Sequence, residues 1–172
     1  MTAPEWQDSL FRVLTQMLRS APLEAPVVSE SEEVYTDRVL VPAFQALALR
    51  VGDRHLLVGG HHTGINRPIV WAGSQFHPDI SLIYRGHRLV AVEVKILRGG
   101  DRSGAISKAV GQAVIYATSC GFGIALIVDS GPAGTAVTKT FGGEAASLSR
   151  TAAVLRHAVG GKLLGGQIAF LG

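Results

Sequence analysis

The sequence predicts an α/β fold, a central mixed sheet flanked by helices, with a core in the order α-β-β-β-α-β. Three observations predict it. Two apolar runs, Asp79 to Tyr84 and Leu89 to Ile96, alternate with period two around a short polar turn, the pattern of a β-hairpin. Apolar residues recur at helical spacing on either side of that hairpin, over 29–49 and 103–119. An unbroken apolar run, 122–129, follows the second helix, as a buried strand does.

The elements follow in chain order. Trp6, Leu10, Leu14, Met17 and Leu18 form one stripe of an N-terminal helix. Such a helix packs on its own domain or, less commonly, on another subunit. Residues 21–28, with Pro22 and Pro26, read as a linker. Ser29-Glu30-Ser31-Glu32 is an S-x-x-E capping box and predicts a helix start. The helix then runs to about Leu49, with Leu40, Phe44, Leu47 and Val51 facing inward. Stepping back along that stripe reaches Glu33, with Glu32 as its open alternative. Pro42 lies inside this helix and predicts a kink or a break.

His55 to Gly59 is a short strand. Residues 60–73 form a loop or ragged hairpin in which His61 and His62 lack the Cys or carboxylate spacing of a metal site and read as surface residues. The hairpin occupies 76–84 and 88–97, the second core helix 103–119 and the next strand 122–129. Beyond it, 131–143 reads as a loop and 144–159 as a helix with Leu148, Ala152, Leu155 and Val159 on one side and His157 exposed. Residues 167–171 read as a last strand. The whole is expected to be one domain: helix and linker to residue 28, a core over 29–130 and an extension over 131–172.

Composition narrows the function. Of the 172 residues, 47% are apolar, enough for a full core, yet no run approaches a membrane span. Glu5 and Asp8 argue against a secretory signal. A single cysteine, Cys120, allows no internal disulfide and points to a reducing cytoplasm. The net charge is a modest +3, but Arg85, Arg88, Lys95, Arg98, Arg102 and Lys108 cluster along the chain, as phosphate contacts would.

The charged residues within the hairpin carry the chemistry. Glu93 and Lys95 share one face of their strand; Val90, Val92, Val94 and Ile96 share the other. A three-residue loop, Arg85-Gly86-His87, would pair Tyr84 with Arg88 and place Asp79 across from Glu93. A two- or four-residue loop would turn Asp79 to the apolar face. Opposed residues have Cβ atoms about 5 Å apart. Two bare carboxylates that close repel unless a cation lies between them. Hard oxygen ligands with open positions suit Mg²⁺, with Mn²⁺ as a substitute.

Pro78-Asp79 followed by Glu93-x-Lys95 resembles the signature of the PD-(D/E)XK nuclease superfamily, the restriction-endonuclease-like and RecB-like nucleases. A D/E-x-K triplet alone says little, since about one occurs by chance in a chain of this size. The hairpin context is more specific, as is Gln112-x-x-x-Tyr116 on one face of the following helix, which RecB-like members also carry. The resemblance covers about residues 32–129. It implies a restriction-endonuclease-like core and metal-assisted hydrolysis of nucleic acid, most simply as a DNA endonuclease in restriction, repair, recombination or phage defence. It implies Asp79, Glu93 and the backbone carbonyl of Val94 as metal ligands, with a glutamate of the first helix, Glu33 or Glu32, beside them. Lys95 would stabilise the attacking oxygen and the phosphate charge, and Gln112 and Tyr116 would hold the lysine or the substrate backbone. Single-domain members of this kind often form homodimers. Two alternatives stand beside this reading: a non-cleaving nucleic-acid-binding or assembly module of the same fold, and an effector nuclease switched on by a ligand or partner.

Overall fold

The computed structural model describes residues 3–21, 23–98, 102–129, 151–158 and 167–171. Its elements are α1 (Ala3–Ser20), α2 (Glu32–Tyr35), a π-helical turn (Thr36–Leu40), α3 (Val41–Val51), β1 (Leu56–Gly59), β2 (Ile69–Trp71), β3 (Ser74–Phe76), β4 (Ile80–Tyr84), β5 (His87–Leu97), α4 (Arg102–Cys120), β6 (Phe122–Asp129), β7 (Thr151–Ala158) and β8 (Gln167–Leu171). Six strands form one mixed sheet in the order β1-β4-β5-β6-β7-β8, and β2 and β3 form a separate hairpin. β5, β6 and β7 run parallel; the β1–β4, β4–β5 and β7–β8 pairs are antiparallel. Among the described residues, no helix is long and apolar enough to cross a membrane.

The two sheet faces bury different chemistry. One face presents Ile80, Leu82, Val90, Val92, Val94, Ile124 and Leu126 to Leu10, Phe11, Leu14, Leu40, Phe44 and Leu47 of the N-terminal helices. Phe11 stacks on Phe122 with centroids 4.4 Å apart. α1 thus packs on its own sheet and closes the main core. α4 covers the other face with Ala109, Ala113 and Ala117, which meet Leu97, Ala125 and Ile127. These small residues let the helix come close. A Cβ on Gly123 would lie 1.8 Å from the Ala113 carbonyl oxygen, so β6 needs glycine there.

The first core helix starts later and is less regular than the capping box predicts. Ser31, not Ser29, is the N-cap, and its hydroxyl accepts from Val34 N–H at 3.2 Å. Glu30 turns back to accept from Val27 N–H and from Arg38, which holds the chain in a turn before the helix begins. Pro42 marks the break that the sequence predicts. Proline has no N–H, and its ring crowds the carbonyl four residues back. The helix relieves this with the π turn immediately before it, where Val41 N–H reaches Thr36 O.

The hairpin reaches its register by another route than the one expected. Its loop has two residues, Arg85 and Gly86, with φ of 50° and 82°, and Tyr84 pairs with His87. Alone, that loop would put Asp79 on the apolar face. A bulge at Leu82/Ile83 adds one residue on β5, so Leu82 pairs with Val90 and Ile80 with Val92. Asp79 returns to the face of Glu93, and its N–H donates to Val92 O at 2.9 Å.

Of the C-terminal helix expected over 144–159, the described residues 151–158 are a strand instead. Thr151–Ala158 is β7, parallel to β6, and β8 is the last strand as expected. Ala153, within β7, is fully buried. A strand inside a parallel sheet reads as a nearly continuous apolar run, and alanine- and leucine-rich runs match helical spacing equally well. The 131–143 loop, residues 144–150 and the side chain of His157 lie outside the described residues.

Candidate active site

Asp79 sits just before β4, where Asn66 fixes the chain. The Asn66 amide donates to Pro78 O at 2.6 Å, and its Oδ1 accepts from the Ser81 hydroxyl at 2.5 Å. Asp79 Oδ2 accepts from the backbone N–H of Val94 at 2.6 Å, and Oδ1 lies 2.9 Å from His61 Nε2. The hydrogen bond to Asp79 raises the pKa of His61 against the opposing effect of its burial.

Glu93 is buried at 5% exposure on β5, next to Val92, whose carbonyl accepts from Asp79 N–H. Its Oε2 accepts from the Tyr116 hydroxyl at 2.9 Å and its Oε1 lies 3.5 Å from Lys95 Nζ. Burial, reinforced by the charge of Asp79, pushes the Glu93 carboxyl up to about 7. The Tyr116 phenol is pushed far up as well, by burial and by Glu93, so it stays a hydrogen-bond donor. Gln112 lies one helical turn before Tyr116; its Oε1 is buried and has no hydrogen-bond partner among the described residues.

Lys95 reaches the other way, to Glu32 Oε1, while Glu32 Oε2 accepts from Ile96 N–H at 2.9 Å. Burial alone would lower the lysine's pKa, but the bond to Glu32 and the charges of Glu32, Glu93 and Asp79 outweigh it and raise it. Lys95 is therefore an ammonium at neutral pH.

The inward glutamate is Glu32. Glu33, which the stripe singles out, is exposed and lies 3.6 Å from His62. The reason is the π turn. It inserts one residue into the helical repeat, so everything before Thr36 rotates by one position, about 100°. The stripe of Leu40, Phe44 and Leu47 is buried as expected, with Val51 partly so. Extended through an uninterrupted α-helix, it arrives one residue too late.

His61 lies closer to the chemistry than a surface loop implies, while His62 is exposed as expected. Besides Asp79, His61 faces Asp37, with Nδ1 3.8 Å from Oδ1, and His62 Nε2 lies 3.1 Å from Asp37 Oδ2. Gly60 permits this approach, since a Cβ there would come within 2.6 Å of Val41 Cγ2. Asn66, Ser81 and Asp37 carry no sequence signal of their own; only the fold brings them to Asp79.

The basic residues are spread out. Arg85 lies at the hairpin turn, about 25 Å from Glu93 at the usual strand rise, with its guanidinium 5.3 Å from the Tyr84 ring. Arg88 donates to the Arg67 carbonyl. Arg98 is exposed beyond β5 and donates to Val28 O at 3.0 Å. Lys108 is exposed on α4, the helix that Arg102 opens; the Arg102 side chain lies outside the described residues.

Glu32, Asp79 and Glu93 thus place three carboxylates around one lysine. No three His, Cys, Asp or Glu side chains converge as a metal-binding group among the described residues. That donor set fits Mg²⁺, which is held by one or two carboxylates and completes its shell with water and substrate phosphate. It fits Zn²⁺ poorly, since no cysteine is near and His61 already bonds to Asp79. Comparison of the chain with family models, curated proteins and solved structures returned no match.

Proposed function

We propose that the chain is a Mg²⁺-dependent nuclease of the PD-(D/E)XK type, with a restriction-endonuclease-like core, that hydrolyses phosphodiester bonds in DNA as an endonuclease. One arrangement carries the reading: Asp79 just before β4 and Glu93 on the adjacent β5, with Lys95 beside Glu93 and held charged by Glu32. The Gln112–Tyr116 pair supports it, since Tyr116 closes on Glu93 from the neighbouring helix.

Asp79 and Glu93 would hold the ion, with the carbonyl of Val94 as a further hard ligand. The ion would supply positive charge at the phosphoryl oxygens and lower the pKa of the attacking water. Lys95, as an ammonium, would stabilise the charge that builds on the phosphate. Glu32 would hold that ammonium in place. Tyr116 would fix the rotamer of Glu93. Cutting both strands of a duplex needs two such sites, so a homodimer is part of the proposal.

A non-cleaving module of the same fold is the second reading, favoured by the hydrogen bonds that already engage both Asp79 oxygens. Incubation with supercoiled plasmid in Mg²⁺, Mn²⁺ or EDTA separates the two. Nicked or linear product in the metal lanes alone supports the nuclease. Binding without product supports the module, once repeated with partner proteins to exclude an effector that needs switching on.

A further inference from the structure

The β2–β3 hairpin is not needed to complete the sheet, yet it is fastened to the site. Its inner residue Ile69 packs with Ala91 and Tyr116, and Phe76 joins the same cluster. Asn66, just before β2, bonds the residues that flank Asp79. The hairpin therefore stands on the same sheet face as Glu93 and Lys95. Its tip is apolar and open: Val70 is 66% and Trp71 46% exposed. The turn residues Ala72 and Gly73 both have positive φ, 48° and 79°, a tight connection that leaves the tip no room to fold back.

Register tells which way the indole faces. Ile69 pairs with Phe76 and Trp71 with Ser74, so Trp71 lies on the side of Ile69, toward the sheet. It is about 7 Å further along the strand than Ile69. Trp71 thus lies on the inward side of the hairpin, beyond Ile69, and its indole stays half-exposed.

Charge says what would cover it. From Arg54 to Pro78 there is no carboxylate, while Arg54, Arg67 and four histidines fall in that segment. Between Asp53 and Asp129 the only acids are Asp79, Glu93 and Asp101, against eight Lys and Arg residues. The first 53 residues, by contrast, carry eight acids and four bases. An exposed apolar tip in a segment with two arginines and no carboxylate of its own matches a polyanion with flat apolar faces better than it matches another protein surface.

We propose that Trp71 is a stacking platform for an unpaired nucleobase, and that the β2–β3 hairpin, anchored beside Asp79 by Asn66, holds a single-stranded segment of the substrate. The proposal rests on the nuclease reading and names the form of nucleic acid that the site takes. Stacking on tryptophan tolerates any base, so the hairpin confers strand form and not sequence. Arg67 and Arg88, joined at the hairpin base, would flank the backbone of that strand.

The chain contains two tryptophans, and Trp6 is packed against Tyr84 at 4.4 Å. Trp6→Phe leaves Trp71 as the single fluorophore. The full chain carrying Trp6→Phe is titrated in EDTA with a single-stranded oligonucleotide and with a blunt duplex of the same sequence. The single strand should quench the indole saturably and the duplex much less. Trp71→Ala in the wild-type chain should weaken single-strand binding by about tenfold, by anisotropy of a labelled oligonucleotide, and Trp71→Phe should recover most of it. Plasmid nicking in Mg²⁺ with unchanged binding by Trp71→Ala overturns the stacking role and leaves the nuclease reading intact. Equal quenching by duplex overturns the single-strand preference. A fall in sedimentation mass with Trp71→Ala, at unchanged oligonucleotide affinity, makes the tip a subunit contact instead. No binding and no nicking by any form overturns the nuclease reading, and the proposal with it.

Discussion

Tyr116 donates its hydroxyl to Glu93 Oε2 at 2.9 Å, the hydrogen bond that ties α4 to the acidic strand. It lowers the carboxyl's pKa against burial and the charge of Asp79, which together push it up to about 7. Tyr116→Phe removes the donor and keeps the ring. Glu93 should then ionise at higher pH. Cleavage in Mg²⁺ at pH 7 should fall by about tenfold, a loss of roughly 1.4 kcal/mol, as expected of one hydrogen bond to a charged group. The acid limb of the pH–rate profile should move to higher pH. An unmoved profile with the same fall would assign Tyr116 to packing alone.

The raised pKa of Glu93 has a consequence for stability. The unfolded carboxyl titrates near 4.5 and the folded one near 7, so between these values the folded protein binds more protons. Stability is then fully present below 4.5 and is lost as pH rises through 7. The total loss from this group is about 3 kcal/mol. Thermal melts in EDTA should show Tm falling from pH 5 to pH 8, and Glu93→Gln should flatten that fall. Mg²⁺ should restore Tm at pH 8, because it binds the ionised folded site. A wild-type Tm that rises from pH 5 to pH 8 in EDTA would contradict the raised pKa of the buried Glu93 carboxyl.

The two neighbouring glutamates should separate cleanly. Glu32 bonds to Lys95 and to Ile96 N–H; Glu33 is exposed near His62. Glu32→Gln should cost about tenfold to a hundredfold in turnover, through loss of a charge-assisted bond to the lysine. Glu33→Gln should stay within about twofold, as a surface change does. Single-turnover rates at saturating Mg²⁺ measure both. A larger loss from Glu33→Gln would reverse the assignment.

That pair also shows how much of the site was legible. The pattern of Asp79, Glu93, Lys95, Gln112 and Tyr116 is local and periodic, and the structure brings all five into direct or next-neighbour contact, Gln112 through Tyr116. Glu32 was ambiguous because its position depends on a π turn, and Pro42 signals a break without saying that one residue is absorbed there. The hairpin register was reached through a two-residue loop and a bulge that offset each other, where a three-residue loop was expected. β7 was misread because it pairs in parallel with β6, far back in the chain, and local periodicity does not distinguish a buried parallel strand from a helix. His61 and Asn66 meet Asp79 only through tertiary folding.

Gly123 sets the distance between α4 and the sheet. A Cβ there would overlap the Ala113 backbone, with its carbonyl oxygen 1.8 Å away, and a backbone atom cannot swing aside. Gly123→Ala should destabilise the chain by about 3 kcal/mol. It should also lift Tyr116 from Glu93, so activity should fall even at temperatures where the variant is folded. Urea unfolding and cleavage rate test the two parts. Wild-type stability in this variant would show that the helix is free to slide.

The central claim is that Asp79 and Glu93 together hold the metal that cuts a phosphodiester. The most direct measurement is nicking of supercoiled plasmid by wild type, Asp79→Ala and Glu93→Ala, each across a Mg²⁺ titration and in EDTA. Wild type should nick in Mg²⁺ and not in EDTA, and neither variant should nick at any Mg²⁺ concentration although both remain folded and bind the plasmid. Mg²⁺-dependent nicking by either alanine variant at the wild-type rate would contradict the claim.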